Sequence, residues 1–296
     1  MKKLNIVCFG EVLWDVFPSH KTIGGAPLNV AIRLQSLDNK VAIISKVGKD
    51  ELGDSLLEFI NEKGVNSDNV QIDSELKTGK VNVVINESGS ASYEIMFPSA
   101  WDDIEITDSN TSLVASSDAF VYGSLIGRNK TSKQTLLHLL KSATYKIFDV
   151  NLRHPFYNYE LLIELMRHAD FIKFNDEELH EICTYLDSKS NSIEQNIAYI
   201  SKKTNTSHIC VTKGEKGAVM LYDSQLFENN GYRVDVVDTV GAGDSFLATL
   251  INYLLKNEHP QKAIDQACAV GAIVAQKEGA NPIINREDID ALLTSN

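Results

Sequence analysis

Two short runs hold the residues best suited to chemistry. The first is Asp238-Thr239-Val240-Gly241-Ala242-Gly243-Asp244-Ser245-Phe246, fed by a β-rich stretch (Arg233 to Val237) and followed by an apolar helical pattern, Phe246 to Leu255. Glycines at a helix start let a ligand approach the backbone, and the unpaired amides there form an anion site with the positive helix end. The amides of Gly241, Ala242 and Gly243 would suit a phosphoryl group gaining charge in a transition state. Asp244 is an odd presence in an anion site, but it is placed to accept a proton from a hydroxyl that attacks phosphorus. The same residues also fit a tight turn with Asp244 capping the helix. The second run is Gly24-Gly25-Ala26-Pro27-Leu28-Asn29-Val30-Ala31, glycines again leading into an apolar stretch, Val30 to Leu37. Asn29 offers donors and acceptors to a polyhydroxylated ligand, while Pro27 equally suits the first turn of an ordinary helix.

Other candidates follow runs that read as strands. Asp15, in Gly10-Glu11-Val12-Leu13-Trp14-Asp15-Val16-Phe17-Pro18, could accept bonds from two ligand hydroxyls or be a solvated loop acid. In Asp149-Val150-Asn151-Leu152-Arg153, the five-donor fork of Arg153 suits a phosphate or substrate oxygen, or a surface acid. Asn175-Asp176-Glu177-Glu178 offers the oxygens that a hydrated hard cation prefers, and also the pattern of a helix N-cap with first-turn acids. Thr212-Lys213-Gly214-Glu215-Lys216-Gly217 is a loop with spaced glycines, or a plain hairpin turn. The chain has no Gly-x-x-x-x-Gly-Lys-Ser/Thr, no protein-kinase motif set and no His-Glu-x-x-His, and its histidines form no spaced cluster.

The elements that must position these residues alternate. Short β-branched runs (Asn5 to Phe9, Val41 to Val47, Ala119 to Tyr122, Lys146 to Val150, Phe171 to Phe174, His208 to Thr212) lie between amphipathic ones (Val30 to Leu37, Leu52 to Lys63, Ser132 to Lys141, Tyr159 to Arg167, Asp176 to Tyr185, Ile193 to Thr204). That order predicts an α/β fold with a mainly parallel sheet covered on both faces, where ligands bind beyond the carboxyl ends of strands. One region departs from it. Lys80 to Asn86 and Ser92 to Met96, joined by Glu87-Ser88-Gly89-Ser90, read as a hairpin. Tyr93, Phe97 and Trp101 could give it an apolar ligand-facing surface, or be hairpin core or dimer contacts.

A chain of 296 residues can bury a substantial core. Its formal charge of −12 argues against nucleic acid and anionic membrane surfaces as partners. No apolar run is long enough to span a bilayer, and the N-terminal lysines meet Gly10 and Glu11 before a signal-type apolar region can form. Cys8, Cys183, Cys210 and Cys268 are scattered, as expected of buried reduced thiols in a cytoplasmic protein.

Together the two glycine motifs, more than two hundred residues apart, resemble the paired signatures of the ribokinase/PfkB family of carbohydrate kinases. Val47-Gly48-Lys49-Asp50-Glu51-Leu52-Gly53 completes the first signature, and the resemblance runs over essentially the whole chain. It implies a ribokinase-like three-layer α/β/α domain over 1–296, with a small β lid from about 12–24 and 78–104. The implied activity is ATP-dependent phosphorylation of a primary hydroxyl of a small sugar, with Asp244 as base and Gly241, Ala242 and Gly243 as anion hole. By the same resemblance Asp15, Gly24, Gly25, Asn29 and Arg153 bind the sugar. Asn175, Thr212, Lys213, Gly214, Gly217 and Cys268 line the nucleotide site, and Asn175, Glu178 and Asp149 organise Mg2+ through water or phosphate. Some members hold a monovalent cation such as K+, here expected around Asp238, Val240 and Gly279-Ala280, and lid-to-lid homodimers are common. Gly-Glu-Val-Leu-Trp-Asp-Val-Phe-Pro, Gly-Gly-Ala-Pro-Leu-Asn-Val-Ala and Ala100-Trp101-Asp102 are most similar to fructokinases. Ribose and 2-keto-3-deoxygluconate are the alternative sugars; fructose 6-phosphate ranks below them, because the hairpin has only Lys77 and Lys80. A non-catalytic sugar- or nucleotide-binding regulator is the alternative of a different class.

Overall fold

Each β-branched run is followed by an amphipathic stretch long enough to cross back over the sheet, so successive strands come out parallel. The structure, a computed structural model, describes residues 2–85 and 91–294. The chain starts with β1 (Asn5–Phe9), β2 (Leu13–Val16), β3 (Lys21–Gly24), α1 (Ala26–Ser36), β4 (Lys40–Gly48), α2 (Glu51–Glu62) and β5 (Val70–Asp73). A hairpin follows, β6 (Gly79–Ile85) and β7 (Ala91–Ile95), then α3 (Asp108–Ala115), β8 (Ala119–Gly123), α4 (Lys130–Leu139) and β9 (Lys146–Asp149). Next come α5 (Tyr159–His168), β10 (Phe171–Asn175), α6 (Asp176–Tyr185), α7 (Ile193–Thr204) and β11 (His208–Thr212). The chain closes with β12 (Ala218–Tyr222), β13 (Gln225–Asn229), α8 (Ala242–Leu255), α9 (Pro260–Ala275) and α10 (Arg286–Thr294).

The large sheet has nine strands in the order β13-β12-β11-β10-β9-β8-β1-β4-β5, and its β11-β12 and β12-β13 pairings are antiparallel while the others are parallel. Strand alternation sends Ile6 and Cys8 into one core with α1, α8 and α9, and Val7 and Phe9 into a second with α4, α5 and α7. Strands buried on both faces should read as unbroken apolar runs. Asp149 and Lys173 interrupt β9 and β10. They pair in register at the carboxyl ends of those strands, two residues beyond Ile147 and Phe171 and therefore on the α8 side. Chain order reverses between β1 and β8, which opens a ligand crevice at that end of the sheet.

The expected hairpin forms and pairs with the 13–17 stretch: the second sheet has the order β3-β2-β6-β7, with β2 parallel to β6. Its turn, Glu87-Ser88-Gly89-Ser90, and the Tyr93 side chain lie outside the described residues. One expectation is corrected. Arg233 to Val237 forms no strand; it runs extended past the end of α9, where Val237 and Asp238 both donate their N–H to Ala275 O. β propensity without a neighbouring edge to pair with produces no ladder. Trp101 is fully buried, in keeping with the core alternative: its indole packs over Gly79 and under the Arg128 guanidinium, 3.9 Å from the ring centre. Phe97 is exposed, and all four cysteines are buried free thiols.

Candidate active site

Gly241 opens α8 at φ 75°, and a Cβ there would lie 2.4 Å from Ala280 O. Only glycine lets this turn rest on the 279–280 loop. The Asp238 carboxylate ties the two together by accepting the N–H of Val240 (3.0 Å) and of Gly279 (3.1 Å). Of the expected anion-hole amides, that of Ala242 is already engaged with Thr239 O at 3.2 Å. Helix geometry leaves those of Gly243 and Asp244 without acceptors on a preceding turn.

Asp244 is held from the second glycine motif. Gly25, at φ 113°, starts α1 against the Glu11 carbonyl, where a Cβ would come within 2.4 Å. One turn on, Asn29 Nδ2 donates to Asp244 Oδ2 at 2.8 Å, and Asn29 Oδ1 accepts from Asn281 Nδ2 at 2.8 Å. Asn29 therefore orients the carboxylate, a role its sequence reading did not include. Arg33, one turn further, donates to Ser245 Oγ (3.1 Å) and Pro282 O (2.9 Å) and locks α1, α8 and the 281–282 segment together. Burial pushes the Asp244 carboxyl up to about 6, helped by the Asp149 charge and opposed by the Asn29 bond, Lys173 and Arg153.

Asp15 pairs with Thr22 of β3, and its carboxylate reaches over Gly24, where a Cβ would meet Asp15 Oδ2 at 2.4 Å. Burial pushes Asp15 up to about 6 against the pull of Arg153. Glu11 is buried beside them with Oε2 unpartnered among the described residues, and burial pushes it up to about 7. Arg153 pairs with no acid among the described residues, its Nη1 donating only to Leu152 O at 2.9 Å. Its charge favours the ionised forms of Glu11, Asp15 and Asp244, against the effect of burial on each.

On the other side of Asp244 the Lys173 ammonium donates to Asp149 Oδ1 at 3.0 Å, while Asp149 Oδ2 is buried without a partner among the described residues. Asn175 and Glu178 form a reciprocal capping box on α6, and Glu178 also accepts the Leu152 N–H at 2.9 Å. Both Glu178 oxygens are thus occupied by backbone donors (the other is Asn175 N–H, at 2.8 Å), and burial raises its carboxyl against the opposing Lys173 charge. Thr212 ends β11 beside Asn175. After it, Lys213 N–H closes a turn onto Gly217 O (2.7 Å), and a Cβ on Gly217 would strike Asn229 O at 2.0 Å. Gly217 is required by that packing, whereas Gly214, at φ 57°, faces open space. Cys268 is a buried thiol on α9, pushed up to about 12 by burial, so it offers an apolar wall. Among the described residues no cluster of three or more His, Cys, Asp or Glu side chains could hold a metal ion, and no helix is long and apolar enough to cross a membrane.

The model of the pfkB family carbohydrate kinases matches residues 2–286. The chain belongs to that family. It is similar to probable fructokinase-4 of Arabidopsis thaliana, at 29% identity over 100% of this chain and 98% of the relative. Fructokinase-2 of Solanum habrochaites is 30% identical over 94% of this chain and 92% of the relative. Among solved structures, fructokinase from Vibrio cholerae O395 in its fructose-, ADP- and potassium-bound form superposes with a TM-score of 0.84, at 23% identity over 99% of this chain and 100% of that chain. ATP-bound fructokinase from Xylella fastidiosa gives 0.86 at 22% identity over 99% and 98%. The fold is that of PfkB sugar kinases, and the protein is a sugar kinase.

Sequence reading missed four participants of this PfkB site: Glu11, Arg33, Lys173 and Asn281. Lys173 left a signal, being a cation inside the run Phe171-Ile172-Lys173-Phe174, both faces of which are covered. Glu11 likewise stands directly after a buried strand. Arg33 and Asn281 left none, since their partners are distant in sequence.

Proposed function

We propose that the protein transfers the γ-phosphoryl group of ATP to a primary hydroxyl of D-fructose, giving fructose 6-phosphate. The observation that carries this reading is Asp244 itself. It sits in the first turn of α8 beside free amides, is aimed by Asn29, and has a carboxyl raised to about 6. A base with a pKa near the working pH can take a hydroxyl proton and release it after transfer. The Gly243 and Asp244 amides would meet charge on the phosphoryl oxygens. Asp15, Gly24, Asn29 and Arg153 would orient the sugar, with the four-stranded sheet closing over it to exclude water. Thr212, Gly214 and the Cys268 wall of α9 would receive the nucleotide. The fructokinase names of the relatives favour fructose over ribose or 2-keto-3-deoxygluconate.

Mg2+ bound with ATP would neutralise phosphate charge. The residues fit a hydrated ion better than a caged one: Asp149 Oδ2 is free, and the Glu178 oxygens are taken by backbone amides, so Asp149, Asn175 and Glu178 would hold it through water. A potassium ion, as in the Vibrio cholerae structure, would lie by the carbonyls around Val240 and Gly279-Ala280. Pairing of two copies through the lid sheet, whose edges are β3 and β7, would give a homodimer.

The test is ADP release with ATP, Mg2+ and a panel of fructose, ribose, 2-keto-3-deoxygluconate and fructose 6-phosphate. Fructose-dependent release is expected, and Asp244→Asn should reduce kcat by about 10²–10⁴-fold while sugar binding persists. Near-normal turnover in that variant would remove Asp244 as base. Release driven by another sugar would replace the substrate and keep the mechanism.

A further inference from the structure

We propose that Lys173 is a further catalytic residue: its ammonium donates hydrogen bonds to an oxygen of the phosphoryl group in flight between ATP and the sugar. The inference rests on the kinase reading above. Lys173 is 7% exposed, at the carboxyl end of a strand whose apolar residues fill both cores. An ammonium has three N–H donors. Among the described residues only one of them has an acceptor, Asp149 Oδ1. Nζ lies 3.5 Å from where a Cβ on Gly243 would stand, so the charge sits over the first turn of α8, one residue from Asp244. Glycine at 243 keeps the gap between the ammonium and the helix end free of side chain.

Anion-seeking groups thus converge from two elements, the helix amides of α8 and the cation of β10. A buried cation with spare donors, held in place by Asp149, meets developing charge without having to reorganise. Lys173 takes no proton in this step. The bond from the sugar oxygen to phosphorus forms as the bond from phosphorus to the β,γ-bridging oxygen breaks. The hydroxyl proton passes to Asp244, and ADP leaves with the bridging electron pair. Asp149, Glu178 and Asp244 are the charged groups facing Lys173, and together they hold it protonated against the effect of burial.

The experiment compares wild type, Lys173→Met, Asp149→Asn and the Asp149→Asn/Lys173→Met double variant. The double variant does not strand the Asp149 carboxylate that Lys173→Met alone would leave without its cation, so it decides the question where the single Lys173 variant fails to fold. Turnover with fructose is measured first, which separates failure of the kinase reading (wild type inactive) from failure of this one. For the double variant against Asp149→Asn, kcat should fall by about 10²–10³-fold, the usual cost of losing one preorganised donor. KM for fructose should stay within about three-fold, as for an interaction made only in the transition state. A second readout needs no turnover: the affinity for ADP with aluminium fluoride and fructose, a mimic of the transferring group. It should weaken in step with kcat, while affinity for ADP alone is kept. Equal kcat, or equal affinity for the aluminium fluoride complex, in the folded double variant and in Asp149→Asn would overturn the proposal.

Discussion

Lys46 in β4 and Lys173 in β10 are both nearly buried, at 5% and 7% exposure, in parallel strands of one sheet, yet they are treated in opposite ways. Lys46 has an acceptor for every proton: Asp73 Oδ2 at 2.9 Å, Asp103 O at 2.9 Å and Asp103 Oδ2 at 3.2 Å. Asp73 is itself anchored by the amides of Glu75 and Leu76. Burial works against the Lys46 charge, but these partners outweigh it and hold the pKa above the ordinary lysine value. Lys173 has one acceptor, and that acceptor, Asp149, keeps a bare oxygen. A saturated buried charge fixes structure. One with unused donors costs stability and is retained where a ligand completes it. Asp244, Glu11 and Asp149 lie at the unsaturated end of the sheet.

Exchanging the lysines is the hardest test of that contrast. Lys46→Met should strand Asp73 and Asp103 and cost about 3 kcal/mol or more, the usual result of removing one partner of a buried pair. Chemical denaturation measures it, and kcat per folded molecule should remain that of the wild type. A stable Lys46→Met protein with impaired turnover would reverse the assignment. Next in size is the acid limb of kcat/KM. Below about 6 Asp244 carries a proton and cannot accept another, so activity should fall about tenfold per pH unit. Asp15, also near 6, must be ionised to accept sugar hydroxyls, so the limb should steepen toward two protons. Asp15→Asn should return it to one. A limb centred near the ordinary carboxyl range would mean that the site is far wetter than its geometry indicates. Gly24→Ala is smaller: the new methyl meets Asp15 Oδ2 and turns that carboxylate aside. KM for the sugar should rise by about tenfold, the size of one good polar contact, with kcat little changed. Unchanged KM would separate Asp15 from the sugar.

The same contrast explains how much could be read from sequence. Helices α6 and α7 were legible to the residue, because Asn175 and Ser192 cap them and an apolar stripe defines their span. β1 and β11 were equally plain as continuous apolar runs. Arg233 to Val237 was misread because a strand needs a partner as well as propensity, and among the described residues the segment joins no ladder. In the site, Asp244 and both glycine motifs were visible because their chemistry is local. Asn29 was found but given to the ligand, since the 2.8 Å contact to Asp244 joins residues far apart in the chain. Lys173 stood in view as a charge in a buried strand, but its meaning depends on unused donors, which only the packed structure reveals. Trp101 was left open between surface and core for the related reason that Arg128 stacks on it from another segment.

The smallest predicted effect bears most directly on the cost of an unsaturated charge. The Asp244 carboxyl rises from its ordinary value of 3.8 to about 6 in the fold, chiefly through burial. Folding therefore disfavours its ionised form, the opposite of a paired carboxylate. The penalty is full above about pH 6, shrinks as pH falls through 6, and vanishes below 3.8, where folded and unfolded chains are both protonated. A shift of that size corresponds to at most about 3 kcal/mol, and partial solvent contact at the helix end reduces it to roughly 1–2 kcal/mol. Asp244→Asn carries no charge at any of these pH values and keeps an oxygen for Asn29. It should therefore be more stable than wild type by that amount at pH 8, with the gap closing toward pH 4.5. Urea denaturation of both proteins at the two pH values measures it. A gap of the opposite sign, or one that does not change with pH, would mean that Asp244 is as well satisfied as Lys46, and saturation would then no longer distinguish the candidate site from the Lys46 cluster.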